Sequence, residues 1–580
     1  MGQKGENVKR LSLAAVATLL ASAVAAPLGC AAPAKLAELL VLNTDKTLRK
    51  RPAGAPASSP AHPSILFLAF DGVDRALIYD MLRKGELPQL AGLLGGAGEH
   101  GAFPHAHFDE TLLSTMPSST LAAWTTAMTG VTPSHHGVTG NEFFIREERR
   151  LGAPAPVSFE DSKPTLATYT DGYVNQLVKA PTVYERMREH DPDVLVWVAV
   201  HQVFTGADRL LVAKPTVMAR AFETVFEEIV KKGTAQDKPS RSNYEKVDTE
   251  VIEVVESALE KGPLPDVLTV YLVGTDLYAH IAEEGADAAR RGYLRDVVDP
   301  AMGKLAAKLR ARGGLEGRYV VLTSDHGHTP VLYDESHALS TKDGKGGPPT
   351  LMSKAGYRVR PFKLDVSDKD DFDAVLTEGG ATAYVYLADR SGCPKPKDVC
   401  DWAEPPRYTE DVLPMADAFY KNNEDGMAVP ALKGTLDLIL TRRPKPWAEE
   451  DLPFEVYVGG GKTVPVGEYL AAHKHSTYTA TAERLNDLAV GPRGERAGDI
   501  MLLAHNGDRD TPQERYYFAS LYRSWHGSPS RQDSEIPFIV ACSTETRESL
   551  RARVHGVLGE LPRQNKVTDV LLELRRPERR

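Results

Sequence analysis

Three aspartates and two histidines stand directly behind apolar runs of this chain. Asp71 follows "SILFLAF" at 64–70, Asp276 and His280 follow "VLTVYLV" at 267–273, and Asp325 and His326 follow "YVVLT" at 319–323. Carboxylate oxygens and imidazole nitrogens are the donors that hold zinc and similar divalent ions, and two such ions about 4 Å apart are a common device for phosphoryl chemistry. Asp276 and His280 are spaced i, i+4, so a helical turn points both at one place. Asp325 and His326 are neighbours at the end of a run, where a turn can aim them together. Either pair alone reads as an ordinary surface pair or turn. Their recurrence behind successive apolar runs makes a metal centre the better reading.

Hydroxyl groups supply a second kind of chemistry. "PSSTLAAW" at 117–124 sets Ser118, Ser119 and Thr120 in front of an apolar helical run. Serine and threonine at a helix start accept from its free N–H groups, and local sequence alone assigns that capping role to all three. The same place faces the positive end of the helix, where anions settle. Other histidines have metal-like spacing without metal-like surroundings. His105 and His107 in "PHAHF", and His473 and His475 in "AHKHS", read as exposed loop residues.

Positioning these residues requires a sheet. The runs above, with "VLVWVAV" at 194–200 and "PFIV" at 537–540, are short and unbroken, as strands buried on both faces must be. Helical patterns lie between them, such as "DPAMGKLAAKLRARGG", which Asp299-Pro300 would start and Gly313-Gly314 would stop. Strands alternating with helices mean an α/β sheet, whose ligands gather beyond the carboxyl ends of the strands. The acids and histidines stand at those ends. Residues 331–494 differ, being rich in Pro and Gly, and read as an inserted cap. "FEVYV", "GGGK" and "TVPV" there form a hairpin; a phosphate-binding loop would need glycine at 456, where valine stands.

The ends and the bulk composition bound the function class. Lys4, Lys9 and Arg10 precede "LSLAAVATLLASAVAA", a secretory signal too short to span a bilayer, so residues 1–30 read as an export signal. "APLGCAAP" resembles a lipobox and makes Cys30 a candidate lipid-attachment site, with Ala23-Val24-Ala25 as an ordinary cleavage alternative. Residues 31–63, rich in Ala and Pro, read as a tether. Cys393 and Cys400 can pair in an oxidising compartment, and Cys542 reads as a buried thiol. With 580 residues, 42% hydrophobic content and a formal net charge of -10, the chain can bury a large core and lacks the basic face of a nucleic-acid binder.

The segment "MPSSTLAAWTTAMTGVTPSHHGVTGN" at 116–141 resembles the nucleophile segment of the type I phosphodiesterase and nucleotide pyrophosphatase branch of the alkaline phosphatase superfamily. Its frame is Pro117, Thr120, Thr129-Gly130, Pro133, His136-Gly137 and Asn141, with "AFDGVD" before it and "GTDLYAH", "TSDHG" and "WHGSPSRQDSEIPFI" after it in order. The resemblance covers roughly 64–340 and 495–545. It implies an α/β fold with a central, mostly parallel sheet flanked by helices and a phosphoesterase core, read at 64–330 and 495–580, and it leaves the cap at 331–494 unmatched. It further implies two divalent ions, expected to be zinc. Asp71, Asp325, His326 and the Thr120 hydroxyl would hold one; Asp276, His280 and His526 would hold the other.

Thr120 is then the implied nucleophile, leaving capping to Ser118 and Ser119. Asn141 is the implied partner of a phosphoryl oxygen, His136 looks structural, His135 is unassigned, and His328 lies near the site without being a ligand. The implied activity is hydrolysis of small phosphate esters, diesters favoured, through a phosphothreonine. Ala122-Ala123 stand where nucleotide-cleaving relatives commonly carry Pro-Asn, which bears on nucleotide specificity, not on metal binding. No C/S-x-P-x-R frame for sulfate chemistry occurs at this segment. Two other readings stand beside the diesterase: a phosphomonoesterase of the same superfamily, and a non-catalytic, metal-binding surface lipoprotein.

Overall fold

The apolar runs lie at the centre of an eight-stranded sheet. Its order is Asp45–Thr47, Arg209–Leu211, Val196–Ala199, Val267–Leu272, Ile65–Phe70, Tyr319–Ser324, Phe538–Ala541 and Ala106–Asp109. The five strands from Arg209–Leu211 to Tyr319–Ser324 are mutually parallel, and antiparallel strands complete both edges. Helices cover both faces of a parallel sheet, which is why every residue of Ile65–Phe70, Val267–Leu272 and Tyr319–Ser324 is buried. Register brings their ends level, since Phe70 pairs with both Leu272 and Ser324. Asp71 and Asp325 therefore leave the sheet side by side, with Val273 on the other flank of Asp71. The architecture is the α/β one expected.

This computed structural model describes residues 44–50, 62–98, 101–156, 162–214, 216–219, 221, 241–339, 346–366, 371–393, 395, 398–443, 452–519 and 521–577. The export signal at 1–30, Cys30 and most of the 31–63 tether lie outside the described residues. Among the described residues no helix is long and apolar enough to cross a membrane.

Three sequence expectations change. Part of the tether is an edge strand: Asp45–Thr47 pairs with Arg209–Leu211, and Lys46 Nζ donates to Thr170 O at 2.6 Å. Three polar-flanked residues carry too little periodicity to announce a strand. Helix Asp299–Ala311 does not begin at Asp299-Pro300, because Ala286–Tyr293 continues into it through a π turn at Leu294–Val298. The Asp299 carboxylate instead accepts from Gln89 N at 3.2 Å and Leu90 N at 2.8 Å, capping helix Pro88–Leu93. Gly313, at φ 64°, ends the run as expected.

The third change concerns the cap. A second, six-stranded antiparallel sheet has the order Ala374–Gly379, Thr382–Leu387, Ile500–Ala504, Leu436–Thr441, Glu455–Tyr457 and Thr463–Pro465. Ile500–Ala504 lies inside it, so the sheet runs past the boundary at 494. Its last two strands are the expected hairpin, turned by Gly459, Gly460 and Gly461, all at positive φ. Cys393 and Cys400 form a disulfide, and Cys542 is a buried free thiol.

Candidate metal centre

Each strand end delivers its residues by a different local device. Behind Ile65–Phe70, Asp71 donates its N–H to Leu272 O at 3.0 Å, extending the ladder by one residue. Gly72 then turns at φ 69°, where a Cβ would stand 2.7 Å from His328 Nε2 and 2.8 Å from Asp276 Cβ, so only glycine lets the chain pass. Behind Val267–Leu272, helix Gly274–Ala279 points Asp276 and the following His280 inward. The Asp248 carboxylate, from helix Arg241–Lys261, anchors that helix start by accepting from Val273 N and Gly274 N at 3.1 Å each. Behind Tyr319–Ser324, Asp325 Oδ1 accepts from Gly72 N at 3.1 Å and His326 N at 3.0 Å, which turns Oδ2 the other way.

His526 arrives from the far end of the chain. Ser524–Trp525 pairs with Thr329–Pro330, and Asp533 fixes the loop beyond by accepting from Ser528 N at 2.9 Å. The hairpin turn of the second sheet closes over it, with Ala381 N donating to His526 O at 3.0 Å. The His526 and His326 rings stack at 3.6 Å between centroids.

These residues converge as two buried sets. Asp71, Asp325 and His326 offer donor atoms within 4.8 Å of one another, and so do Asp276, His280 and His526. Thr120 Oγ1 lies 3.2 Å from His326 Nε2, at the first turn of helix Thr120–Thr129. The imidazoles share one orientation. His280 Nδ1 is 2.8 Å from Ser524 O, His326 Nδ1 2.9 Å from Gly327 O, and His526 Nδ1 3.0 Å from Ser118 O. A carbonyl can only accept, so each Nδ1 carries the proton and each Nε2 presents a lone pair to the site. That is how metal-ligating histidines are held.

The charges demand a counter-ion. Asp71 Oδ1 and Asp325 Oδ2 are buried without a hydrogen bond. Burial first, and then the Asp325 and Asp276 carboxylates, push the Asp71 carboxyl well above its ordinary range; Asp325 is also raised by burial. At Asp276, burial opposes ionisation but the His280 and His328 imidazoles outweigh it and hold the carboxyl well below its ordinary range. A buried cluster of three carboxylates is costly unless cations occupy it. The residues present therefore fit two divalent ions, and the donor set of carboxylate and imidazole suits zinc or a similar metal.

The expected residues converge here, and their neighbours include His328, which the sequence already places near the site, and Tyr271, which it does not single out. His328 is buried with Nε2 2.9 Å from Asp276 Oδ1 and Nδ1 3.1 Å from Ser524 Oγ. Tyr271 donates its hydroxyl to Asp71 Oδ2. In the run "VLTVYLV" nothing distinguishes that tyrosine from core packing. Two expectations fail. Ser118 and Ser119 do not cap the helix with their side chains: Ser118 Oγ donates to Ser528 O at 2.7 Å, and Ser119 Oγ has no partner. His107 is not an exposed loop residue but lies buried in strand Ala106–Asp109. His136 is structural, as expected, with Nε2 2.9 Å from Thr126 Oγ1 and Nδ1 accepting from Val138 N at 3.1 Å.

A sequence model described as type I phosphodiesterase / nucleotide pyrophosphatase matches residues 65–401. The chain belongs to this family. It is accordingly a phosphoric ester hydrolase of a metal-dependent class. The match reaches further into the second sheet than the motifs do, and it stops short of His526, whose place at the site rests on geometry. No curated protein matches the chain by sequence. Among solved structures, murine ectonucleotide pyrophosphatase/phosphodiesterase 5 is similar, with TM-score 0.45 and 10% identity over 89% of this chain and 96% of that one. An inactive threonine-to-alanine form of that protein in complex with AMP gives the same TM-score of 0.45 and 10% identity.

This phosphodiesterase has a cleft beside the candidate metal-binding residues. Thr120, Asn141, Asp276 and His526 are among its polar lining, and Leu121, Tyr169, Val273, Leu277, Tyr522 and Trp525 supply its apolar and aromatic wall. Asn141 Oδ1 accepts from Leu121 N at 3.2 Å, an orientation that turns its amide NH2 toward other partners.

Proposed function

We propose that this phosphodiesterase is an exported, two-zinc enzyme that cleaves small phosphate diesters through a phosphothreonine at Thr120. The observation that carries the reading is the convergence of six donor residues, with three Nε2 lone pairs aimed inward, around one threonine at a helix N-terminus. Asp71, Asp325, His326 and Thr120 would hold one ion, and Asp276, His280 and His526 the other. When bound, such ions neutralise phosphoryl charge and lower the pKa of nearby oxygen acids.

The chain's own groups then do the rest. Thr120 Oγ1 gives up its proton to solvent and attacks phosphorus in line, forming the Oγ–P bond as the bond to the leaving oxygen breaks, and that oxygen takes a proton from water and departs as an alcohol. The Asn141 amide donates to a phosphoryl oxygen, and the N-terminus of helix Thr120–Thr129 adds its positive end. Water subsequently breaks the Oγ–P bond and restores the threonine. The apolar wall supports a diester, because it receives an uncharged ester substituent better than a second ionised oxygen. The family's description as a phosphodiesterase / nucleotide pyrophosphatase supports nucleotides among the substrates, while Ala122-Ala123 in place of Pro-Asn argues against a strict requirement for one. Export is supported by the signal at residues 1–30 and by the Cys393–Cys400 disulfide, a bond that persists in oxidising compartments; Cys30 is the proposed lipid anchor.

The test is turnover of bis-p-nitrophenyl phosphate against p-nitrophenyl phosphate by the zinc-loaded protein. Diester kcat/KM should exceed monoester kcat/KM by at least about tenfold, a difference of about 1.4 kcal/mol in transition-state stabilisation. The reverse order would make it a monoesterase, and no turnover of either would favour the non-catalytic lipoprotein.

A further inference from the structure

We infer that the second sheet carries a metal site of its own, separate from the catalytic centre, in which Asp437, His475 and Asp508 bind a zinc-like divalent cation. One donor atom from each of the three lies within 4.8 Å of the others. They come from three separate stretches. Asp437 is in strand Leu436–Thr441, where the register against Ile500–Ala504 shifts between Leu436 and Leu438. A bulge of this kind re-aims one side chain, and here it is the aspartate. His475 follows helix Val466–Ala472, and Asp508 follows strand Ile500–Ala504.

The surroundings hold the donors in place: Asp508 is bonded at both oxygens, through Asn506 N to Oδ1 at 2.7 Å and His505 Nδ1 to Oδ2 at 2.7 Å, and Asp437 is the carboxylate left short of partners. Asp437 Oδ2 accepts from Tyr478 OH at 2.6 Å, and the Tyr478 ring stacks on His475 at 4.5 Å. Asp437 Oδ1 is left facing His475 Nε2 at 3.6 Å and His505 Nδ1 at 3.7 Å, both too long for hydrogen bonds. The Asp437 side chain is only 5% exposed and that of Asp508 only 4%. His505 sits in a contradiction: its Nδ1 is 2.7 Å from Asp508 Oδ2, which wants a proton there, and 3.0 Å from Arg509 Nη2, which wants a lone pair. Arg509, with a side chain 42% exposed, lies at the rim and reaches Asp508 at 3.1 Å. One rim guanidinium leaves two nearly buried carboxylates short of positive charge, and a cation between Asp437, His475 and Asp508 supplies it. His505 is placed to serve as a fourth donor.

Donor chemistry selects the ion. Imidazole nitrogen with monodentate carboxylate suits zinc and its neighbours, whereas calcium would need six to eight oxygens. Position suggests the consequence. The loop beyond His475 is bonded to the loop beyond His526, with Thr479 N donating to Pro529 O at 3.1 Å and Arg531 N to Thr477 O at 2.8 Å. A cation at this place ties the second sheet to the chain segment that delivers a catalytic ligand.

The full-length protein, stripped with chelator and dialysed, is titrated with zinc alone against a chromogenic chelator, beside His475→Ala and Asp508→Asn. Each variant should bind one zinc fewer than the wild type, while Asp71→Ala should lose zinc from a different, additive site. An unchanged count in both variants overturns the inference, whatever the catalytic centre binds. Anomalous scattering at the zinc edge from wild-type crystals gives a reading independent of any variant. A peak between Asp437 and His475 is expected, and peaks confined to the Asp71 and Asp276 sets would overturn it.

Discussion

Among the hydroxyls of "PSSTLAAW", the structure separates roles that the local sequence merged. Thr120 Oγ1 touches His326 Nε2 at 3.2 Å, whereas Ser118 Oγ is spent on Ser528 O at 2.7 Å. Thr120→Ala should therefore lower diester turnover by at least about 10³-fold while leaving thermal stability near that of the wild type, because it removes a reacting atom and no buried hydrogen bond to the backbone. Ser118→Ala should do the opposite, costing about 1 kcal/mol of stability and less than about tenfold in turnover. Equal losses in steady-state rate from the two variants would show that the wrong hydroxyl was chosen. Asp71, Asp276, His280, Asp325 and His326 were legible in the sequence because each stands one to seven residues behind an apolar run, where strand ends put ligands, while His526 was legible only through its motif. Tyr271 was not, and the sequence places His328 only near the site. A histidine two places beyond a ligand and a tyrosine inside a strand look like neighbours and core, and only the turn at Gly72 and the register of the strands reveal which atom each meets.

Elements rather than residues decide whether the two ligand sets share a place. The level ends of Ile65–Phe70, Val267–Leu272 and Tyr319–Ser324 come from register, which an apolar run announces only as the existence of a strand. For the same reason the edge strand Asp45–Thr47 and the continuation of helix Ala286–Tyr293 into Asp299–Ala311 escaped notice. The former is too short for a period, and at the latter Asp299-Pro300 has the residues of a helix start while its carboxylate caps a different helix. Helix Gly274–Ala279 depends on close approach: a Cβ on Gly274 would overlap the Tyr293 hydroxyl and lie 2.6 Å from Asp248 Oδ2. Gly274→Ala should push that helix start away from Asp248, swing Asp276 and His280 out of line, and lower both zinc content and turnover by at least about tenfold. Gly313→Ala is the comparison, since its φ of 64° is strained for alanine but nothing lies within 4 Å of the added methyl. That variant should lose about 1 kcal/mol in denaturant melts and keep its turnover. Loss of turnover in both would mean that the clash at Gly274 is not what matters.

At the scale of the whole molecule, stability and the site draw on the same buried polar groups, and pH exposes the link. His136 and His201 are fully enclosed, and burial holds each imidazole down to about 3. In the unfolded chain a histidine takes up its proton near about 6.5. Between those values the unfolded state binds the extra proton and the native state does not, so folding stability rises with pH across the window. The contribution of these two residues is therefore complete above about 6.5 and is lost as pH falls toward 3, on the order of 1.4 kcal/mol per pH unit for each. His201 is the cleaner probe. It packs edge-on against Trp124 at 5.2 Å and Tyr271 at 5.6 Å, and its Nδ1 accepts from Val203 N at 3.1 Å, a bond that glutamine can also accept. His201→Gln should thus reduce the pH dependence of unfolding free energy between pH 6 and 4 by one proton relative to the wild type, measured by urea denaturation at fixed zinc. Groups common to both proteins cancel in the difference. A variant whose slope matches that of the wild type would mean that His201 is protonated in the native state, and burial would then not be what governs it.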